Sequence, residues 1–248
     1  MIITVAFGKG GTGKTSTALA MAHYKAAQGA KVLCIDLDHQ GNFTYALGGD
    51  MGRPGMFDVL TGAREARDVL QSLDGVDLLP AGVALDTAEL AIASKPGRDF
   101  LLRAALEPVA GDYDMVVIDT HPDRDTLLVN ALSASDTVLL PMKADPFAVM
   151  GLYQIAQTIA DVQRLCNPAL TVSGIVLTQY KPKQVLARDM REAIEQLAEA
   201  MGTKLYHTTI REGVAVQQAQ ALRQPLFEYA GKSNPAKDYK ELFEEMEL

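Results

Sequence analysis

The sequence predicts an open, doubly wound α/β sheet, and three observations carry that prediction. Short β-branched or aliphatic runs alternate with longer helical patterns along the chain. Several of these runs are almost purely apolar, as strands covered on both faces of a mostly parallel sheet are. The 248 residues suit one large domain, residues 1–248, and 48% hydrophobic against 22% charged residues supply a sizeable core and exclude disorder as the main state.

The first run, Ile2–Ala6, leads at once into a glycine-rich loop and a helix, Thr15–Gln28. Lys31–Asp36 is the second strand, and the irregular stretch 41–75 reads as an insertion of short helices before the third, Val76–Pro80. Met115–Asp119 is the fourth, and the helix Thr126–Ser135 carries the chain to the strand Thr137–Met142. The helix Ala148–Leu165, the strand Val172–Thr178, the helix Val185–Met201 and the strand Lys204–His207 continue the alternation. Ala236–Met246 is the last helix; Tyr239, Leu242, Phe243 and Met246 recur at helical spacing and predict packing on the body. Glycine and proline mark junctions such as Pro54-Gly55, Gly111 and Pro182 and form no linker.

Some function classes fall away early. No window approaches the roughly 18 apolar residues a membrane span needs, and the chain enters its first strand without a basic leader or cleavage site, which predicts a cytoplasmic protein. Cys34 and Cys166 lack metal-ligand spacing and read as core thiols. A net charge of −8 argues against a chain that is basic throughout but leaves room for a local basic patch.

After the first strand stand Gly8, Lys9, Gly10, Gly11, Thr12, Gly13, Lys14, Thr15 and Ser16. Gly8-x-x-x-x-Gly13-Lys14-Thr15 is a full phosphate-loop pattern in its strand–loop–helix setting. Glycines let backbone N–H groups close around phosphates, and the helix N-terminus adds positive potential. Lys14 is expected to reach the β- and γ-phosphates of ATP, and the Thr15 hydroxyl to ligate Mg2+.

The added Lys9, giving Lys9-Gly10-Gly11-Thr12-Gly13-Lys14-Thr15, resembles the deviant Walker A motif of the ParA/MinD family of P-loop ATPases, with its three-layer α/β/α fold. The resemblance implies an ATP-sandwiched homodimer in which Lys9 touches the partner's phosphates. Asp36-Leu37-Asp38-His39-Gln40 resembles the family's switch I, where the second aspartate, Asp38, acts on the attacking water and the first, Asp36, supports the metal shell. Taken alone, the segment also reads as an Asx turn capping a short helix. Met115–Thr120 resembles a Walker B strand, with Asp119 at its end to hold Mg2+. The resemblance covers most of the chain.

Two residues depart from the family pattern. His39 and His121 stand where prolines are usual in the two switches. Either an imidazole bonds the nucleotide or the other switch and makes turnover pH-sensitive, or the loops simply gain flexibility.

Residues 179–223 carry a net charge of +2 within a chain of −8. By resemblance, Lys183, Arg211 and Arg223 fall near the places where ParA-like dimers hold DNA without sequence preference, and phosphate contacts presented twice suffice for that. Ordinary i,i+4 pairs, Arg188 with Glu192 and Arg191 with Glu195, are the alternative account of part of this charge. The acidic last helix disfavours membrane attachment. No helix-turn-helix precedes the first strand, so operator recognition is not expected.

The resemblance therefore implies a partition or positioning ATPase, nucleoid-associated when ATP-bound and released when a ParB-like adaptor stimulates hydrolysis. A small-molecule ligase of the dethiobiotin-synthetase type, or a switch that hydrolyses ATP negligibly, are the alternatives. By fold analogy, the loops beginning at Thr178 and Thr209 are candidates for the adenine.

Overall fold

A computed structural model describes residues 1–181 and 185–248 of the protein. Among the described residues, eight strands form one sheet: β1 (Ile2–Val5), β2 (Val32–Leu37), β3 (Gln71–Ser72), β4 (Asp77–Leu79), β5 (Met115–Thr120), β6 (Thr137–Met142), β7 (Thr171–Thr178) and β8 (Leu205–Ile210). Their spatial order is β3-β4-β2-β5-β1-β6-β7-β8. Every neighbouring pair is parallel except the edge strand β3, which runs antiparallel to β4. The seven strands expected from sequence are all present. The two-residue β3 is too short to give a periodic signal.

Two helical layers sandwich the sheet. Alternation within the strands divides the core: Ile3, Val5, Val32 and Cys34 face one side, and Leu33, Ile35, Val116 and Ile118 the other. On the first side lie α1 (Lys14–Ala27) and α2 (Asn42–Leu47). The opposite side is covered next to β2 and β5 by α3 (Met56–Thr61), α4 (Ala66–Val69), α5 (Ala88–Ile92) and α6 (Leu101–Leu106). Over β6 and β7 the same side is covered by α7 (Thr126–Ala134), α8 (Pro146–Leu165) and α9 (Val185–Ala200). The chain then returns to the first side through α10 (Val214–Ala221), α11 (Leu226–Ala230) and α12 (Asn234–Glu245). Asp125 and Asp145 cap α7 and α8 through their carboxylates, and Ser233 caps α12 through its hydroxyl.

The last helix packs on the body as its spacing predicts. Tyr239, Leu242 and Phe243 are buried, the Phe243 ring lies 5.1 Å from that of Tyr24 on α1, and the Tyr239 and Thr17 hydroxyls meet at 3.2 Å. No helix among the described residues is long and apolar enough to cross a membrane.

His23, on the same helix α1, gives the fold a pH dependence. Burial lowers its pKa from the usual 6.5 to about 4. A base depressed on folding contributes stability above its unfolded pKa and loses it as pH falls toward the folded one. The His23→Gln variant should therefore escape up to about 3 kcal/mol of the stability that the parent loses between pH 6.5 and 4. Denaturant titrations across that range check this, and parallel pH profiles would contradict it.

Candidate nucleotide site

The loop between β1 and α1 turns on glycines that adopt left-handed backbone, Gly11 at φ +71° and Gly13 at φ +86°, conformations a side chain resists. The outer edge of the loop is tied to the end of β7: the Thr178 hydroxyl donates to the Thr12 carbonyl at 2.7 Å, and Gln179 Nε2 to the Gly11 carbonyl at 3.5 Å. Lys14 is 6% exposed and donates from Nζ to the Lys9 carbonyl at 3.2 Å. Burial lowers the Lys14 pKa, while the nearby Asp119 and Asp38 carboxylates pull the other way.

Strand register brings the aspartates together. Asp36 in β2 pairs directly with Asp119 in β5, and Asp119 pairs on its other side with Val5 of β1, three residues before the loop begins. Both aspartates are fully buried. Asp36 is held on every side: Oδ1 accepts from the Asp38 N–H at 3.0 Å, and Oδ2 accepts from both the N–H and the hydroxyl of Thr44, each at 2.7 Å. Its pKa rises to about 6, because burial outweighs those hydrogen bonds. Asp38 is 7% exposed and accepts the Gln40 N–H at 2.9 Å on Oδ1, which is the Asx turn the sequence allowed.

Asp119 differs sharply from Asp36. Both of its carboxylate oxygens are buried and accept no hydrogen bond among the described residues. Burial first, and the Asp36 carboxylate second, push its pKa well above the ordinary range. The Thr15 hydroxyl and the Lys14 ammonium beside it pull the other way, yet a buried carboxylate whose oxygens accept no hydrogen bond within contact distance is disfavoured unless a cation or a proton takes it. The residues therefore fit an oxygen-seeking divalent cation, with Asp119 free to meet it and Asp36 already committed to its donors.

The remaining candidates are distributed as follows. Lys9 Nζ donates to both carboxylate oxygens of Asp145 at 2.9 Å and lies 5.5 Å from the centre of the Phe147 ring. The Ser16 hydroxyl meets Gln220 Nε2 at 2.9 Å. Arg211 gives its guanidinium to the buried Asp238, with Nε 2.9 Å from Oδ2, so much of its charge is matched internally. Arg223 lies 4.4 Å from the centre of the Tyr45 ring on α2, in left-handed backbone at φ +56°. Lys183 lies outside the described residues. Neither expected i,i+4 pair on α9 closes as an ion pair among the described residues; Arg191 turns instead toward the Tyr206 carbonyl, at 3.5 Å. The backbones of the two loops named for adenine lie side by side, with the Tyr180 N–H donating to the Ile210 carbonyl at 3.2 Å.

The two histidines differ from one another in their surroundings. His121 is 4% exposed, donates from Nε2 to Asp125 at 2.8 Å and accepts the Asp123 N–H on Nδ1 at 2.9 Å. Both ring nitrogens are occupied within its own loop, so His121 braces that loop where mere flexibility was one expectation. Burial alone would lower its pKa, but the Asp125 hydrogen bond and the surrounding carboxylates raise it. His39 is exposed, and its ring stands 6.0 Å from that of His121. The loops that follow β2 and β5 approach one another there.

Sequence reasoning missed Asp145, the partner of Lys9, and Thr44, the clamp on Asp36. The local signal for Asp145 was available: an aspartate followed by proline at the start of a helix reads as a cap. Thr44 left no comparable sign.

Comparison with known proteins shows what the chain resembles as a whole. A family model described as AAA domain matches residues 1–172. The chain is 34% identical over 251 aligned positions to the chromosome partitioning protein ParA of Caulobacter vibrioides, covering 99% of this chain and 93% of that protein. It is 31% identical to the sporulation initiation inhibitor protein Soj of Bacillus subtilis, covering 99% of this chain and 97% of that one. Among solved structures, cobyrinic acid a,c-diamide synthase from Mycobacterium smegmatis, with bound ADP and magnesium, superposes with a TM-score of 0.83 at 31% identity, covering 97% of this chain and 91% of that one.

Proposed function

Since the chain belongs to the ParA/MinD family of ATPases, we propose that it is a positioning ATPase whose homodimer, assembled with Mg2+ and ATP, binds double-stranded DNA without sequence preference and is released when a ParB-like adaptor stimulates hydrolysis. The observation that carries this reading is the convergence of a phosphate loop, two adjacent strand-end aspartates and a second lysine beside that loop.

In this reading Gly10 to Ser16 hold the triphosphate, with Lys14 on its terminal phosphates, and Lys9 reaches the phosphates bound by the partner subunit. Thr15 and Asp119 would hold Mg2+, which when bound would supply charge neutralisation at the transferred phosphoryl group, while Asp36 fixes the loop behind them. Asp38 positions the attacking water. Arg223 and Lys183 contribute to the DNA surface, while Arg211 acts mainly through its pairing with Asp238. ATP turnover measured with and without random-sequence DNA tests the reading directly. DNA- and ATP-dependent assembly with slow basal hydrolysis supports it, and turnover that depends on a small carboxylate or amine contradicts it.

The cobyrinic acid a,c-diamide synthase likeness is a specific reason to keep the second reading, a small-molecule ligase on the same fold. Against it stands the full-length similarity to partitioning proteins at comparable identity.

The Lys9–Asp145 contact yields a further prediction. If Lys9 serves a partner subunit, it must first leave Asp145, and the two side chains are 36% and 29% exposed, so the pair is worth no more than about 1 kcal/mol. Asp145→Asn keeps a capping side chain on α8 while weakening the ion pair. It should lower the ATP concentration needed for half-maximal dimerisation by up to about fivefold, read by light scattering. An unchanged or raised midpoint contradicts it.

A further inference from the structure

Lys143, directly after β6, is a lysine of this face that the proposed function leaves unused. A Cβ built on Gly11 would lie 3.9 Å from Lys143 Nζ, so the ammonium sits directly against the phosphate loop. It is half-buried and has no ion-pair partner among the described residues. Its acidic neighbours are already taken: Asp145 holds Lys9, and Glu212 holds Lys181 at 3.0 Å. Together with Asp145, Gln179, Tyr180, Lys181 and Glu212 it lines an open cleft of about 240 Å³.

The side of the loop on which Lys143 sits decides what it can bind. A nucleotide held by its own chain lies inside the loop, against the inward N–H groups. The carbonyls of Gly11 and Thr12 point instead to the end of β7, where Gln179 and Thr178 take them, and Gly11 is exposed. Lys143 lies on this outer side, two residues from the carboxylate that holds Lys9. A half-buried ammonium with no carboxylate of its own is a fixed positive charge suited to a phosphate anion.

We propose that Lys143 binds a phosphate of the nucleotide carried by a second copy of this chain, adding a further cation to the interface alongside Lys9. The proposal rests on the ATP-sandwich reading. A DNA phosphate offers the same chemistry, so the test separates the two sources.

The experiment uses the full chain and its Lys143→Gln and Lys143→Arg variants, each checked for a parental thermal unfolding curve. ADP affinity is measured by fluorescence with a labelled nucleotide, ATP-driven dimerisation by light scattering without DNA, and DNA retention in a third arm. For Lys143→Gln, ADP affinity should stay within about twofold and ATP-driven dimerisation should weaken about tenfold or more, with Lys143→Arg recovering most of the loss. Parental dimerisation by Lys143→Gln overturns the proposal, as does loss of DNA retention alone or an equal loss of ADP affinity. Failure of the parent protein itself to dimerise with ATP would instead sink the sandwich reading.

Discussion

Asp38→Ala is expected to reduce ATP turnover by about 100-fold or more while leaving Mg2+-ATP affinity within about threefold. Asp38 follows Asp36, whose carboxylate is clamped by Thr44 and by the Asp38 N–H itself, so its position is fixed through the backbone. Its side chain retains an oxygen beyond the one that accepts Gln40 N–H, and it is close enough to Lys14 to influence that lysine's charge. A carboxylate placed there can orient a water but is not needed to hold the phosphates, which is why hydrolysis and binding should separate. Single-turnover phosphate release alongside a nucleotide-binding isotherm gives both numbers. Equal losses in binding and turnover would assign Asp38 a structural role in the Asx turn.

The second large effect is expected at Lys9. Lys9→Ala should abolish ATP-dependent dimerisation and reduce DNA- and adaptor-stimulated turnover by about 100-fold or more, with ADP binding to the monomer nearly unchanged. Lys9 Nζ lies on Asp145, outside the loop, whereas Lys14 is buried within it and bonds the Lys9 carbonyl. Two lysines in one loop thus face different directions, and only Lys14 is placed to serve the nucleotide of its own chain. Lys14→Ala is the internal control: it should weaken binding of ADP and ATP alike. Loss of ADP binding in Lys9→Ala of the same size as in Lys14→Ala would contradict the division of labour.

The parts of this molecule that were legible in the sequence are those fixed by local chemistry. Apolar runs and helical periods place seven strands and the main helices, and the glycine spacing places the loop because backbone at Gly11 and Gly13 must turn left-handed. Asp36 and Asp119 were legible as strand-end acids, but their direct pairing is a matter of register between β2 and β5, which no local pattern encodes. Long-range partners were equally hidden. Arg211 reads as a surface cation until Asp238, 27 residues later, is folded against it, and Lys9 reads as a loop lysine until Asp145 arrives from α8. His121 shows the same limit: its spacing to Asp125 is visible, yet only burial reveals that both ring nitrogens brace the loop.

The central claim is tested most directly by retention of the purified protein on random-sequence duplex DNA, at low and moderate salt, with ATP, ADP or no nucleotide, and with Lys9→Ala in parallel. The account predicts retention with ATP alone, lost on raising salt, as phosphate contacts require, and lost again in Lys9→Ala. No retention in any nucleotide state, or retention indifferent to nucleotide and to Lys9, would contradict it.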